Sequence, residues 1–201
     1  MTRIDSFSTT LFQPGAQLAA KKGKHLHVVA LQPIGTLHLP TGHLVIHSSW
    51  ERFPLRRTGP IGVFPVEASL ATVSSSESCF AAIRIVFSRE PVVAWEVADQ
   101  GFGAARGVKD ATCLYTDAQL LPALQTYIDE ASSPDEWYYD PPKLRGKTWD
   151  SACFAPDDDR PETVVMFGTN NYNSDGPYIS YWGLDAAGAP AMFVTDLDLV
   201  A

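Results

Sequence analysis

The residues best suited to chemistry are thinly spread. All five histidines, His25, His27, His38, His43 and His47, fall in one stretch. On extended chain His25 shares a face with His27, and His43 with His47. Imidazole pairs on neighbouring strands are one way to hold a metal. No carboxylate or cysteine in that stretch completes a known ligand set, so these histidines are expected on a solvated sheet face and no metal is assigned. Asn171-Tyr172-Asn173-Ser174-Asp175-Gly176 copies the opening of a calcium loop, with oxygen donors at alternate positions and then glycine. Trp182 stands where that loop needs its bidentate Glu, so the segment is expected to be a turn. Cys79, Cys113 and Cys153 are odd in number, far apart and without a CxxC pair. They are expected to be reduced and mostly buried. The chain has no G-x-S-x-G, no phosphate-binding G-x-x-x-x-G-K-[ST] and no HExxH. Gly101-Phe102-Gly103 with Gly107 misses the dinucleotide spacing. No cofactor is indicated.

Two constellations remain. The stretch 132–161 holds five prolines, seven acids and the aromatics Trp137, Tyr138, Tyr139 and Trp149. A long irregular connection in a compact domain is commonly functional, and aromatic anchors on a loop are typical of partner-binding surfaces. Asp157, Asp158 and Asp159 give that stretch its strongest run of negative charge. The second constellation follows the calcium-like turn. Asp175, Tyr178, Tyr181, Trp182 and Asp196 offer a ligand pocket in which Asp175 or Asp196 is the acid or base. On a strand, however, Tyr178, Ser180 and Trp182 share one face, and Ile179, Tyr181 and Gly183 share the other.

The elements that must position these groups read as strands. The chain has 201 residues, 45% of them apolar and 19% charged, which fits an ordinary globular domain. Residues 1–24 read as a loosely ordered lead-in, and 25–201 as a single β-rich domain with the irregular loop at 132–161. Short β-type runs cover 26–31, 34–39, 43–48, 63–73, 80–87, 92–97, 163–167, 178–184 and 191–200, separated by Gly, Pro, Ser and Asp turns. Ser74 to Ser78 reads as a polar loop and Asp185 to Gly188 as a hairpin turn. One helix is expected near 116–131. Thr116 or Asp117 caps it, Pro122 sits in its early turns, and Leu120, Leu121, Leu124, Tyr127 and Ile128 recur at helical spacing. The fold class is α+β and β-dominated: mostly antiparallel sheet or sandwich with one main helix.

The motifs carry a resemblance. Gly176-Pro177-Tyr178-Ile179-Ser180-Tyr181-Trp182-Gly183-Leu184-Asp185, followed by Gly188 and Val194-Thr195-Asp196, resembles the closing strands of a bacterial family, domain of unknown function 4241. Gly42-His43-Leu44-Val45, Gly62-Val63-Phe64-Pro65-Val66, Ala81-Ala82-Ile83-Arg84 with Phe87, Trp95-Glu96-Val97-Ala98 and Thr116-Asp117-Ala118 are similar to its earlier segments, in the same order. The resemblance spans roughly residues 40–200. His47-Ser48 replaces the family's usual Asp-Pro, and Asn170 to Ser174 replaces its glycine-rich turn. The resemblance implies no activity.

Charge separates the function classes. The chain's net charge is −8, but residues 1–109 carry 11 Lys and Arg against 7 Asp and Glu, whereas residues 110–201 carry 4 against 16. An acidic half repels phosphates and attracts basic surfaces. Nucleic acid is not an expected partner. No run of apolar residues is long enough to span a bilayer and none resembles a secretory signal, so no membrane partner is expected and the expected location is the cytoplasm. The sequence leans against an enzyme. It favours a protein-binding domain, such as an immunity protein that neutralises a basic toxin, for instance a nuclease effector. Trp137, Tyr138, Tyr139 and Trp149 would be its anchors and Asp157, Asp158 and Asp159 its steering charges. The alternative is an enzyme or small-ligand binder using the Asp175 pocket.

Overall fold

Apolar side chains that alternate with polar ones can bury a single face only by pairing into sheets, and this chain does so twice. A computed structural model describes residues 10–19, 26–47, 54–74, 77–98, 112–129, 151–154, 164–168 and 178–197. Its elements in order are β1 (Gln17–Ala19), β2 (Leu26–Leu39), β3 (Leu44–His47), β4 (Gly62–Ser74), β5 (Glu77–Val86), β6 (Ala94–Val97) and β7 (Thr112–Asp117). A 3-10 turn (Ala118–Leu120) then leads into α1 (Leu121–Asp129), followed by β8 (Ser151–Phe154), β9 (Val164–Gly168), β10 (Ile179–Leu184) and β11 (Pro190–Asp196). One sheet has seven strands in the order β1-β2-β4-β5-β11-β10-β6, and the other has four in the order β3-β7-β9-β8. All neighbours are antiparallel. Among the described residues, no helix is long and apolar enough to cross a membrane.

The main core lies between the sheets. Leu37, Leu39, Phe64, Ile83, Ile85, Trp182 and Phe193 from the larger sheet meet Leu44, Ile46, Tyr115, Val165 and Phe167 from the smaller. Tyr115 packs edge-on against both Phe167 and Phe193, so its ring bridges the layers. A second apolar layer covers the other face of the seven-stranded sheet: Leu11, Phe12, Leu18, Val29, Ala71, Cys79, Ala81, Ala82, Tyr181 and Val194. Bulges make this possible. Ser69 pairs with Ala82 and Leu70 with Phe80, leaving Ala81 as the extra residue. Both Ala81 and Ala82 therefore reach the outer layer while Phe80 and Ile83 face inward.

Several expectations change. Residues 10–19 are no loose lead-in, because Leu11 and Phe12 are buried and Gln17–Ala19 pairs with β2. The runs 26–31 and 34–39 are one strand, carried past Pro33 by a bulge at Ile34. The stretch 132–161 is interrupted by β8, which pairs with β9. β7 was not expected at all. Its residues Thr116 and Asp117 read as helix caps in the sequence, but Thr116 lies buried within the strand, and Asp117 alone caps, accepting from the Gln119 amide.

That cap also anchors a turn. Asp117 is fully buried. One carboxylate oxygen accepts from the Thr41 amide at 3.0 Å, and the other accepts from the Thr41 hydroxyl at 2.7 Å and the Gln119 amide at 2.9 Å. The helix start is thereby tied to the turn before β3. Gly42 follows with φ +74°, and a Cβ there would stand 2.4 Å from the Gly59 carbonyl oxygen, so only glycine fits this close approach.

Candidate functional site

The sheet register decides which candidate residues can act together. Trp182 on β10 and Tyr178 just before it face the intersheet core, whereas Tyr181 on β10 belongs to the outer layer. Asp196 pairs with Ile179 across β10 and β11, so it shares the outer face with Tyr181. The four described members of the expected pocket thus divide between opposite faces of one sheet. Asp175 lies outside the described residues, as do Trp137, Tyr138, Tyr139, Trp149, Asp157, Asp158 and Asp159.

The histidines are also separated. His27 lies on β2 in the larger sheet and His47 on β3 in the smaller, so the expected pairs are not cross-strand neighbours. His38 is half-buried and His43 exposed, and His25 lies outside the described residues. Among the described residues, no three His, Cys, Asp or Glu side chains gather as a metal site. Cys79 is buried and in no disulfide.

The signature residues around Trp182 hold structure together. Trp182 is fully buried, stacked on Phe87 and edge-on to Phe193, with ring centroids 5.9 and 4.7 Å apart. Beside it the buried Tyr115 hydroxyl donates to Thr195 Oγ1 at 2.6 Å, and Thr195 Oγ1 pairs with Ser180 Oγ at 2.8 Å. This chain of hydroxyls links β7 to β10 and β11 across the core. On the outer face, Gly183 makes room for the Trp95 ring, since a Cβ would meet it at 3.0 Å. The Gly183–Leu184 step is also a bulge. The β10–β11 turn closes on Asp185, whose Oδ1 accepts from the amides of Ala187 and Ala189.

Among the described residues, three of the four exposed large apolar side chains lie at one end of the larger sheet. The register brings the start of β4, the end of β5, the β10–β11 turn and the start of β6 together there. Ile61, Val63 and Val93 stand at that end with 71%, 57% and 63% of their surfaces exposed. Val97, at the other end of β6, is 46% exposed. β6 is an edge strand, and among the described residues its outer side has no strand partner. Arg57 braces the rim. It forms a two-pronged ion pair with Glu96, 2.6 Å at the shorter contact, and donates to the Gly188 carbonyl at 3.4 Å. Such an exposed pair adds at most about 1 kcal/mol, so positioning is its main contribution. None of these residues was singled out in the sequence as a contact. β-branched residues ordinarily signal burial, and an ion pair spanning two distant segments leaves no local mark.

No curated protein and no solved structure matches the chain. One family profile does, over residues 37–195, which takes in β3 to β10 and nearly all of β11. The ordered motifs from Gly42 to Thr195 fall within that span, and the chain belongs to the family described as protein of unknown function DUF4241.

Proposed function

We propose that this chain is a protein-binding domain without catalysis of its own, acting as an immunity protein that captures a basic toxin such as a nuclease effector. The observation that carries the proposal is the sheet end where Ile61 and Val63, at the start of β4, and Val93, just before the edge strand β6, stand exposed. Exposed large apolar residues at one end of a sheet are a common mark of protein contact. The acidic balance of residues 110–201 supports a basic partner, because opposite charge speeds encounter. Trp137, Tyr138, Tyr139 and Trp149 supply further anchors, and the proposed setting is the cytoplasm. The division of Tyr178 and Trp182 from Tyr181 and Asp196 favours this over a ligand pocket.

The test is affinity capture of the tagged chain from its host lysate at low and high salt, then association kinetics with the purified partner. A stoichiometric, basic, salt-sensitive partner is expected. Asp157→Lys/Asp158→Lys/Asp159→Lys should slow association at low salt by about tenfold or more. An unchanged low-salt rate would refute the electrostatic part of the proposal. No partner at either salt would refute the binding role.

A further inference from the structure

We propose that residues 10–19 form a strap that opens and reseats on the outer face of the seven-stranded sheet while the rest of the domain stays folded. This inference is independent of the partner proposed above. The strap precedes the family match, which begins at residue 37. The face beneath it, by contrast, is built mostly from matched strands: Ala71 on β4, Cys79, Ala81 and Ala82 on β5, Tyr181 on β10 and Val194 on β11, with Val29 on β2 outside the match.

The two sides of this contact are unequal. Bulky groups are on the strap, namely Leu11, Phe12 and Leu18. The face mixes the small residues Ala71, Cys79, Ala81 and Ala82 with Val29, Tyr181 and Val194. The strap's backbone is tied to β2. Gly15 donates to the Val29 carbonyl at 2.8 Å, Val29 donates to the Ala16 carbonyl at 2.9 Å, and β1 pairs with β2 over three residues. Two polar ties reach β4 and β5. The Ser69 hydroxyl donates to the Leu11 carbonyl, and the Arg84 guanidinium sits 4.5 Å from the centre of the Phe12 ring.

Arg84 makes opening electrostatically mild. Its Nε donates to Glu67 at 2.7 Å and its terminal nitrogen lies 2.6 Å from the same carboxylate. That pair spans β4 and β5 and does not involve the strap. When Phe12 leaves, the charge keeps its partner, so no unpaired buried ion opposes the motion. Segments held by few buried contacts open below the free energy of global unfolding.

Cys79, beneath the strap, is a built-in reporter. In the full chain carrying Cys113→Ser and Cys153→Ser, a water-soluble disulfide reagent should label Cys79 through an opening that depends weakly on urea. Adding Leu11→Ala/Phe12→Ala should raise that rate by roughly a hundredfold or more, the loss expected for two buried side chains. The Trp182-containing core should still unfold in one cooperative transition, its midpoint lowered by no more than the strap's own contribution. Amide exchange on the unaltered chain is the second measurement. The Gly15 amide should exchange much faster than the amides joining β5 to β11. Labelling with the urea dependence and midpoint of global unfolding, or equal exchange at both places, would overturn the proposal.

Discussion

Asp117→Ala is the perturbation whose cost can be worked most fully from the structure. The carboxylate is fully buried and accepts three hydrogen bonds, two from Thr41 and one from Gln119. Loss of the helix cap costs about 1 kcal/mol. Each bond from Thr41 to a charged acceptor adds about 1.5–3 kcal/mol, the upper part applying where the donor is left dry. The expected total is about 4 kcal/mol, a large share of the roughly 5–15 kcal/mol that holds a domain folded. For a chain of this size that lowers Tm by about 8–16 °C. Asp117→Asn is nearly the same shape. Whichever way its amide turns, one acceptor is replaced by an N–H that meets a donor. It should cost about 2–3 kcal/mol. Urea unfolding followed by far-UV circular dichroism measures both. Thr41→Val supplies the control: alone it should cost about 1–2 kcal/mol, but almost nothing when added to Asp117→Ala. A loss below about 1 kcal/mol for Asp117→Ala, or full additivity with Thr41→Val, would refute the view that this carboxylate ties the turn to the helix.

Two further substitutions test the signature strands. Gly183→Ala places a methyl 3.0 Å from both the Trp95 ring and Val92, so it should cost about 1–3 kcal/mol and shift tryptophan fluorescence as Trp95 is displaced; an unchanged spectrum would contradict that packing. Thr195→Val removes the central oxygen between Tyr115 and Ser180 and should cost about 1–3 kcal/mol by urea unfolding, whereas Tyr115→Phe removes one terminal hydroxyl and should cost about 1 kcal/mol; the reverse order would show that Thr195 is not the hub.

The sequence was most legible where a feature is local. Asp117 could be read as a helix cap because the signal is the residue and its next few neighbours. The Asp185 to Gly188 hairpin could be read, since it carries turn residues between two strand-like runs, and Ser74 to Ser78 could be read as a polar loop. Features set by distant pairing were not legible. β7 is short and abuts the helix, and its strand identity comes from β3 and β9 on either side. Pro33 looked like a break because the bulge that absorbs it depends on the register of β4. The candidate pocket failed to assemble for the same reason. Alternation along β10 already separated Tyr181 from Trp182, but only the pairing of Asp196 with Ile179 shows which side Asp196 joins.

The position of β11 between β5 and β10 also bears on how the chain is made. The partner of Val86 is Met192, so roughly 100 residues must leave the ribosome before β5 finds its second neighbour. At ordinary synthesis rates that takes about 5–20 s. Throughout that interval the β4–β5 hairpin presents an unpaired edge and two apolar faces. The nascent chain is therefore a natural client for chaperones, and a message truncated before β11 would yield a product with its central sheet open to aggregation.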